Sequence, residues 1–153
     1  MDQPELIHRA RADVLSEHGF FLITADGGPI GEPLPEFFDR PLPLCGAVVD
    51  TVFLLSCPGT QYVDCVVESW SGPPPESGKY EEQADVEAVL SMPTFTLRGP
   101  FDDELPNIPL ARPGQQHLRV RCTGRAEARR RYEANPLDET DGVEHWKIQL
   151  WPR

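Results

Sequence analysis

An all-β chain, folded as an antiparallel β-sandwich of about seven or eight short strands with long Pro/Gly-rich loops, is what three features of this sequence predict. Apolar residues recur with a period of two along most of the chain. Seventeen prolines and 12 glycines cut that pattern into short segments. The length, 153 residues with 39% hydrophobic content, suits one domain, 1–153, able to bury roughly 70% of its unfolded surface in a single core.

Taken in order, the first segment is the ambiguous one. Leu6, Ala10 and Val14 would form a helical stripe, yet Leu6, His8, Ala10, Ala12 and Val14 also alternate with Ile7, Arg9, Arg11 and Asp13. A strand is preferred over residues 5–15, because "SEHG" then turns the chain into the apolar "GFFLITA". "AVVDTVFLLS" is apolar on both faces and suits one central strand, followed by a hairpin turn at Pro58-Gly59. In "QYVDCVVESW", Val63, Cys65 and Val67 point inward. "QADVEAVLSM" sets Ala84, Val86, Ala88 and Leu90 against Gln83, Asp85 and Glu87. "TFTLR" follows Met92-Pro93, a bend or an edge. "QQHLRVRCT" buries Leu118, Val120 and Cys122, and "EHWKIQLW" buries Trp146, Ile148 and Leu150. Residues 26–44, 71–82 and 99–114 read as three long connections, and loops of that length are usually functional or mobile.

The four cysteines (Cys45, Cys57, Cys65 and Cys122) contain no CxxC. On a hairpin, Cys57 and Cys65 would stand roughly 17 Å apart, beyond bridging distance, and Cys65 and Cys122 fall on inward positions. Reduced thiols in a cytoplasmic protein are expected. Neither a membrane span nor a leader-like N-terminus is present in the sequence, so no membrane partner is expected.

Chemistry-bearing patterns are sparse. The four histidines (His8, His18, His117 and His145) lack metal-ligand spacing. The best metal-ligating set is His117 with Asp85 and Glu87, if their strands are neighbours, although such groups on a solvated face usually form surface pairs. GxSxG, P-loop and GxGxxG are absent. No catalytic residue, metal or other cofactor is therefore expected.

Charge is more informative. The formal net charge is -11, yet residues 119–131 hold six arginines and one glutamate, leaving 8 basic and 24 acidic side chains elsewhere. Such a field repels nucleic acid and steers a basic protein partner, although acidity alone also serves solubility. In "AEARRRYEAN" two helical turns would place Glu127 against Arg130 and Arg131. Asp138, Glu139 and Asp141 of the following loop are expected to neutralise the rest. Phosphate binding is disfavoured because only Tyr132 is available to stack. Trp70, at a strand end, is either an edge cap or an interface anchor. Trp146 belongs to the core, and Trp151 covers an open end. A contact surface is expected to draw on Trp70, Arg125, Arg129, Arg130, Arg131 and Tyr132, together with Asp102, Asp103 and Glu104 of "FDDELP".

The order "ADVLSEHGFFL", "VVESWSGPPP", "LPNIPLARPGQQHLRVRCTGR" and terminal "EHWKIQLWP" resembles a group of small, largely actinobacterial, all-β proteins of unassigned function. More remotely, it is similar to the competence nuclease inhibitor ComJ. The resemblance implies a β-sandwich and a protein-binding role, and carries over no catalytic residues. The expected function is thus a non-catalytic, acidic inhibitor or immunity-like module for a basic partner such as a nuclease or toxin. The alternative is a small enzyme or ligand-binding protein with a pocket at one end of the sandwich.

Overall fold

Alternation along the strands is realised as two five-stranded sheets enclosing one large apolar layer. The computed structural model describes residues 3–76 and 78–153. In spatial order, the first sheet contains β1 (Leu6–Ser16), β5 (Gln61–Trp70), β10 (His145–Pro152), β9 (Gly114–Thr123) and β6 (Glu82–Leu90). The second contains β3 (Cys45–Val48), β4 (Thr51–Leu55), β2 (Phe20–Ala25), β7 (Thr94–Arg98) and β8 (Asp103–Pro109). Val63, Cys65 and Val67 of β5, Leu118, Val120 and Cys122 of β9, and Trp146, Ile148 and Leu150 of β10 meet Phe21, Ile23, Val52, Leu54 and Phe95 of the facing sheet. Burying each such side chain contributes about 1.5–3 kcal/mol.

The strand reading of residues 5–15 agrees with β1, which pairs with β5 from Leu6 to Ser16. Three details differ from expectation. First, the strand count among the described residues is ten. "AVVDTVFLLS" breaks into β3 and β4 because Asp50 takes a φ of 63° and binds the Ser91 amide and hydroxyl with its carboxylate. The other extra strand, β8, comes from "DELPNIP", whose prolines are tolerated because it lies at a sheet edge. Second, the sheets are not wholly antiparallel, since β10 runs parallel to β5 with Trp146 opposite Cys65. Third, Pro58-Gly59 does not turn a hairpin. It carries the chain from β4 in one sheet to β5 in the other.

Two of the long connections are straps across the outer faces of the sheets. Residues 26–44 leave the end of β2 and enter β3, crossing the second sheet. There the 3-10 turn Pro35–Phe38 seats Phe37 on Phe53, with Leu22 and Leu55 completing a second apolar cluster. Gly46 makes this possible, because a Cβ there would stand 2.5 Å from the Phe37 ring. This cover explains why β2 and β4 are apolar on both faces. Residues 71–76 and 78–81 lie across the first sheet between β5 and β6, where the Pro74 carbonyl accepts a bond from Arg119 and the Tyr80 ring lies 5.2 Å from the Arg121 guanidinium carbon.

Between β9 and β10 lies α1 (Arg125–Ala134), started by Gly124 at a φ of 85°. A Cβ on Gly124 would meet the Val143 carbonyl at 2.0 Å, so the turn into the helix has room only for glycine. Arg125 and Ala128 form the buried face of α1.

Candidate functional site

The β1–β2, β4–β5 and β7–β8 turns, the end of the first strap and α1 gather at one end of the sandwich, where chemistry-bearing side chains are concentrated. Arg125 is 6% exposed and pins the strap to the helix. Its guanidinium donates to Glu82 at 2.9 Å and to the backbone carbonyls of Leu42 and Pro43 at 2.8 and 2.9 Å. Arg130 binds Glu127 in a bidentate pair, Arg131 shares that carboxylate at 2.9 Å, and Arg129 meets Glu133 at 3.1 Å. Neutralisation thus comes from within the helix and from Glu82, where the i,i+3 and i,i+4 spacing places the partners. It does not come from Asp138, Glu139 and Asp141. Asp138 receives the Glu139 amide, and Asp141 receives the Tyr62 amide at 2.9 Å. Tyr132 packs against the Gly59 turn.

Asp102, Asp103 and Glu104 lie where the chain turns from β7 into β8. Arg98 pairs with Asp103 at 2.9 Å. Partial burial, then the charges of Asp102 and Asp13, push the Glu104 carboxyl above its ordinary value. In the same turn Phe101 is 66% exposed, its ring edge-on to His18 at 6.1 Å. Neither Phe101 nor His18 carried a periodic signal in the sequence, and only the meeting of two turns marks them.

His18 also lines a cavity of about 180 Å³, walled by Gly19, Phe38, Leu42, Cys57 and Pro58, with Arg40, Arg125 and Arg129 among its lining residues. Beneath it, Glu144 is fully buried and accepts the Cys57 amide at 2.8 Å, the Gln61 amide at 2.9 Å and the Trp146 indole at 2.8 Å. Burial raises the Glu144 carboxyl against the lowering effect of these bonds. Burial and that neighbouring carboxylate push the Cys57 thiol up to about 12, so at neutral pH it is protonated and poorly nucleophilic. Among the described residues all four cysteines are free thiols.

Trp70 stands apart from this end, where β5 meets the start of β1, and donates its indole N–H to Glu68 at 3.0 Å. Gln149 binds the same carboxylate at 2.8 Å. Burial pushes Glu68 up, but the bonds from Gln149 and Trp70, aided by Lys147 and Arg9, leave it below its ordinary value. Trp151 does not cover an open end. It lies on the outer face of β10, stacked on His117 at 4.5 Å with Arg119 at 5.1 Å. His117 does meet Asp85 and Glu87 across β6 and β9, at 2.9 and 3.0 Å. Each ring nitrogen faces a different carboxylate, so the three groups make surface pairs around the imidazole. No group of three His, Cys, Asp or Glu among the described residues is arranged to hold a metal ion.

The arginine-rich helix is not the sole basic locus. On the outer face of the first sheet, β1, β5 and β10 bring Arg9, Arg11, His145 and Lys147 around Asp64, to which Arg11 donates at 2.8 and 2.7 Å and His145 lies at 2.8 Å. The sequence separates these residues by more than 130 positions, and the antiparallel β1–β5 and parallel β5–β10 pairings together unite them. No helix among the described residues is long and apolar enough to cross a membrane.

No family model matches the chain, and no curated protein is similar to it in sequence. Two solved structures are similar in fold. One is ComJ, inhibitor of the DNA degrading activity of NucA, from Bacillus subtilis, at a TM-score of 0.62 and 11% identity, the match covering 99% of this chain and 100% of that one. The other is crocagin biosynthetic gene J, at a TM-score of 0.54 and 18% identity, covering 99% of both chains. The resemblance to ComJ in strand and turn order therefore has its counterpart in the fold.

Proposed function

We propose that this chain is a non-catalytic, cytoplasmic protein-binding module, an acidic inhibitor or immunity-like protein that occupies a basic partner such as a nuclease. The observation that carries this reading is Phe101, a largely exposed aromatic ring followed directly by Asp102, Asp103 and Glu104, the last of which feels the charge of Asp13. An aromatic anchor ringed by carboxylates provides the two parts of a binding hot spot for a basic surface: apolar area at the centre and charge that steers approach. The Glu104 carboxyl, raised first by partial burial and then by the charges of Asp102 and Asp13, supports it, since an incoming cation would offset those two charges. The net charge of -11 and the fold shared with a nuclease inhibitor point in the same direction.

The test is binding and inhibition of a candidate basic nuclease by purified chain across a salt series. Inhibition is expected at low ionic strength, weakening by at least about tenfold at high salt. A Phe101→Ser, Asp102→Asn, Glu104→Gln variant should lose at least about a hundredfold in affinity without losing its fold. Salt-independent binding, or full affinity in the variant, would overturn the reading.

A further inference from the structure

The cavity at the helix end answers a different question from the acidic turn, and nothing in the partner reading uses it. It is lined by Gly19, Phe38, Leu42 and Pro58 with Ser56 and Cys57, and by His18, Arg40, Arg125 and Arg129. Arg125 spends three of its five N–H donors on protein acceptors among the described residues, and Arg129 meets Glu133 through Nε. In a chain with net charge -11, this concave surface has three arginines and no carboxylate among its lining residues, although Arg125 and Arg129 are paired with Glu82 and Glu133 beside it. A groove lined by Pro41, Leu42, Ala126 and Arg130 continues it along α1, with Glu82 and Glu133 as its acidic members.

From this we infer that the cavity is a binding site for a small organic carboxylate with a flat apolar body. Its apolar part rests against Phe38, Leu42 and Pro58, and its carboxylate takes N–H donors from Arg40 and Arg129. Size supports the class. The volume is about 180 Å³, and a cavity of about 150 Å³ accommodates benzene, so a single ring bearing a carboxylate fits. Charge sets the sign, because guanidinium groups favour a planar carboxylate through paired N–H donors.

The probes are sodium benzoate, neutral benzamide and inorganic phosphate, titrated calorimetrically into the full chain, with amide shifts followed by NMR. Benzoate is expected to bind saturably with a Kd of roughly 1 mM, shifting the amides of residues 18, 19, 38–40, 42, 56 and 57. Benzamide should bind at least about tenfold more weakly, as should phosphate, which lacks the apolar body. Arg40→Gln and Arg129→Gln change side chains that are not buried, so the fold is retained, and each should weaken benzoate at least about fivefold. No saturable benzoate binding, equal binding of benzamide, tighter binding of phosphate, or unchanged affinity in both variants would each overturn the inference. A nuclease can be bound or ignored through the Phe101 turn whatever these titrations show, so the two readings fail separately.

Discussion

Each sheet is crossed by a strap, and the two straps hold on by different physics. Residues 26–44 press Phe37 into an apolar cluster with Leu22, Phe53 and Leu55, and Phe38 meets Phe20 edge-on at 6.5 Å. Residues 71–76 and 78–81 rest on charge: Pro74 takes a bond from Arg119, Glu76 approaches Arg119 and Arg121 at 3.9 Å, and Tyr80 faces Arg121. Beneath lies the Trp70–Glu68–Gln149 network, which Arg119 joins through Gln149 at 3.4 Å. The difference shows that a long loop need not be a functional loop. The first strap is a piece of core, and the second is a lid over buried polar groups that would otherwise be exposed to competing water.

The largest effect should come from removing the apolar anchor. Phe37→Ala is expected to cost about 3 kcal/mol in urea denaturation, because it empties a site that neighbouring side chains cannot refill. A loss as small as that of a surface residue would show that the first strap only lies on the sheet. Next is Glu68→Gln, expected to cost about 1.5 kcal/mol near neutral pH through weakened charge-assisted bonds. Glu68 releases its proton more readily folded than unfolded. Its contribution is therefore present above the ordinary carboxyl range and disappears as pH falls through its lowered folded value. Stability measured along an acid series should accordingly fall less in the variant than in the native chain, and parallel curves would break the assignment. Tyr80→Ala should cost about 1 kcal/mol, mostly the ring's contact with Arg121. Smallest is Glu76→Gln, within about 0.5 kcal/mol, since this carboxylate is 78% exposed and its ion pairs are long. If Glu76 outranked Phe37, the contrast between the straps would be reversed.

What the sequence made legible follows the same division. Where one strand face meets core and the other meets water, as in β6 and β9, alternation alone identified the inward residues. The helix pairs of Glu127 were legible because i,i+3 and i,i+4 spacing is a local rule. Edge strand β8 was not, since acidic residues and prolines masked it, and an edge needs no apolar pattern on its open side. Nor was the end where Phe101, His18 and the cavity meet. Those residues are joined by turns from different sheets, and local periodicity carries no information about which turns share an end.

The position of β10 bears on how the chain comes to be folded at all. This strand occupies the middle of its sheet, parallel to β5 on one side and antiparallel to β9 on the other, and pairs Trp146 with Cys65 across about 80 residues of chain. A polypeptide synthesised from its N-terminus has β1, β5, β6 and β9 before it has the strand that joins β1 and β5 to β9 and β6. Until then the inner faces of those two pairs have no common sheet. Closing so long a loop is entropically slow, so the halves wait, exposed, for the strand that unites them. Made after all four of the strands it unites, β10 is the keystone of its sheet.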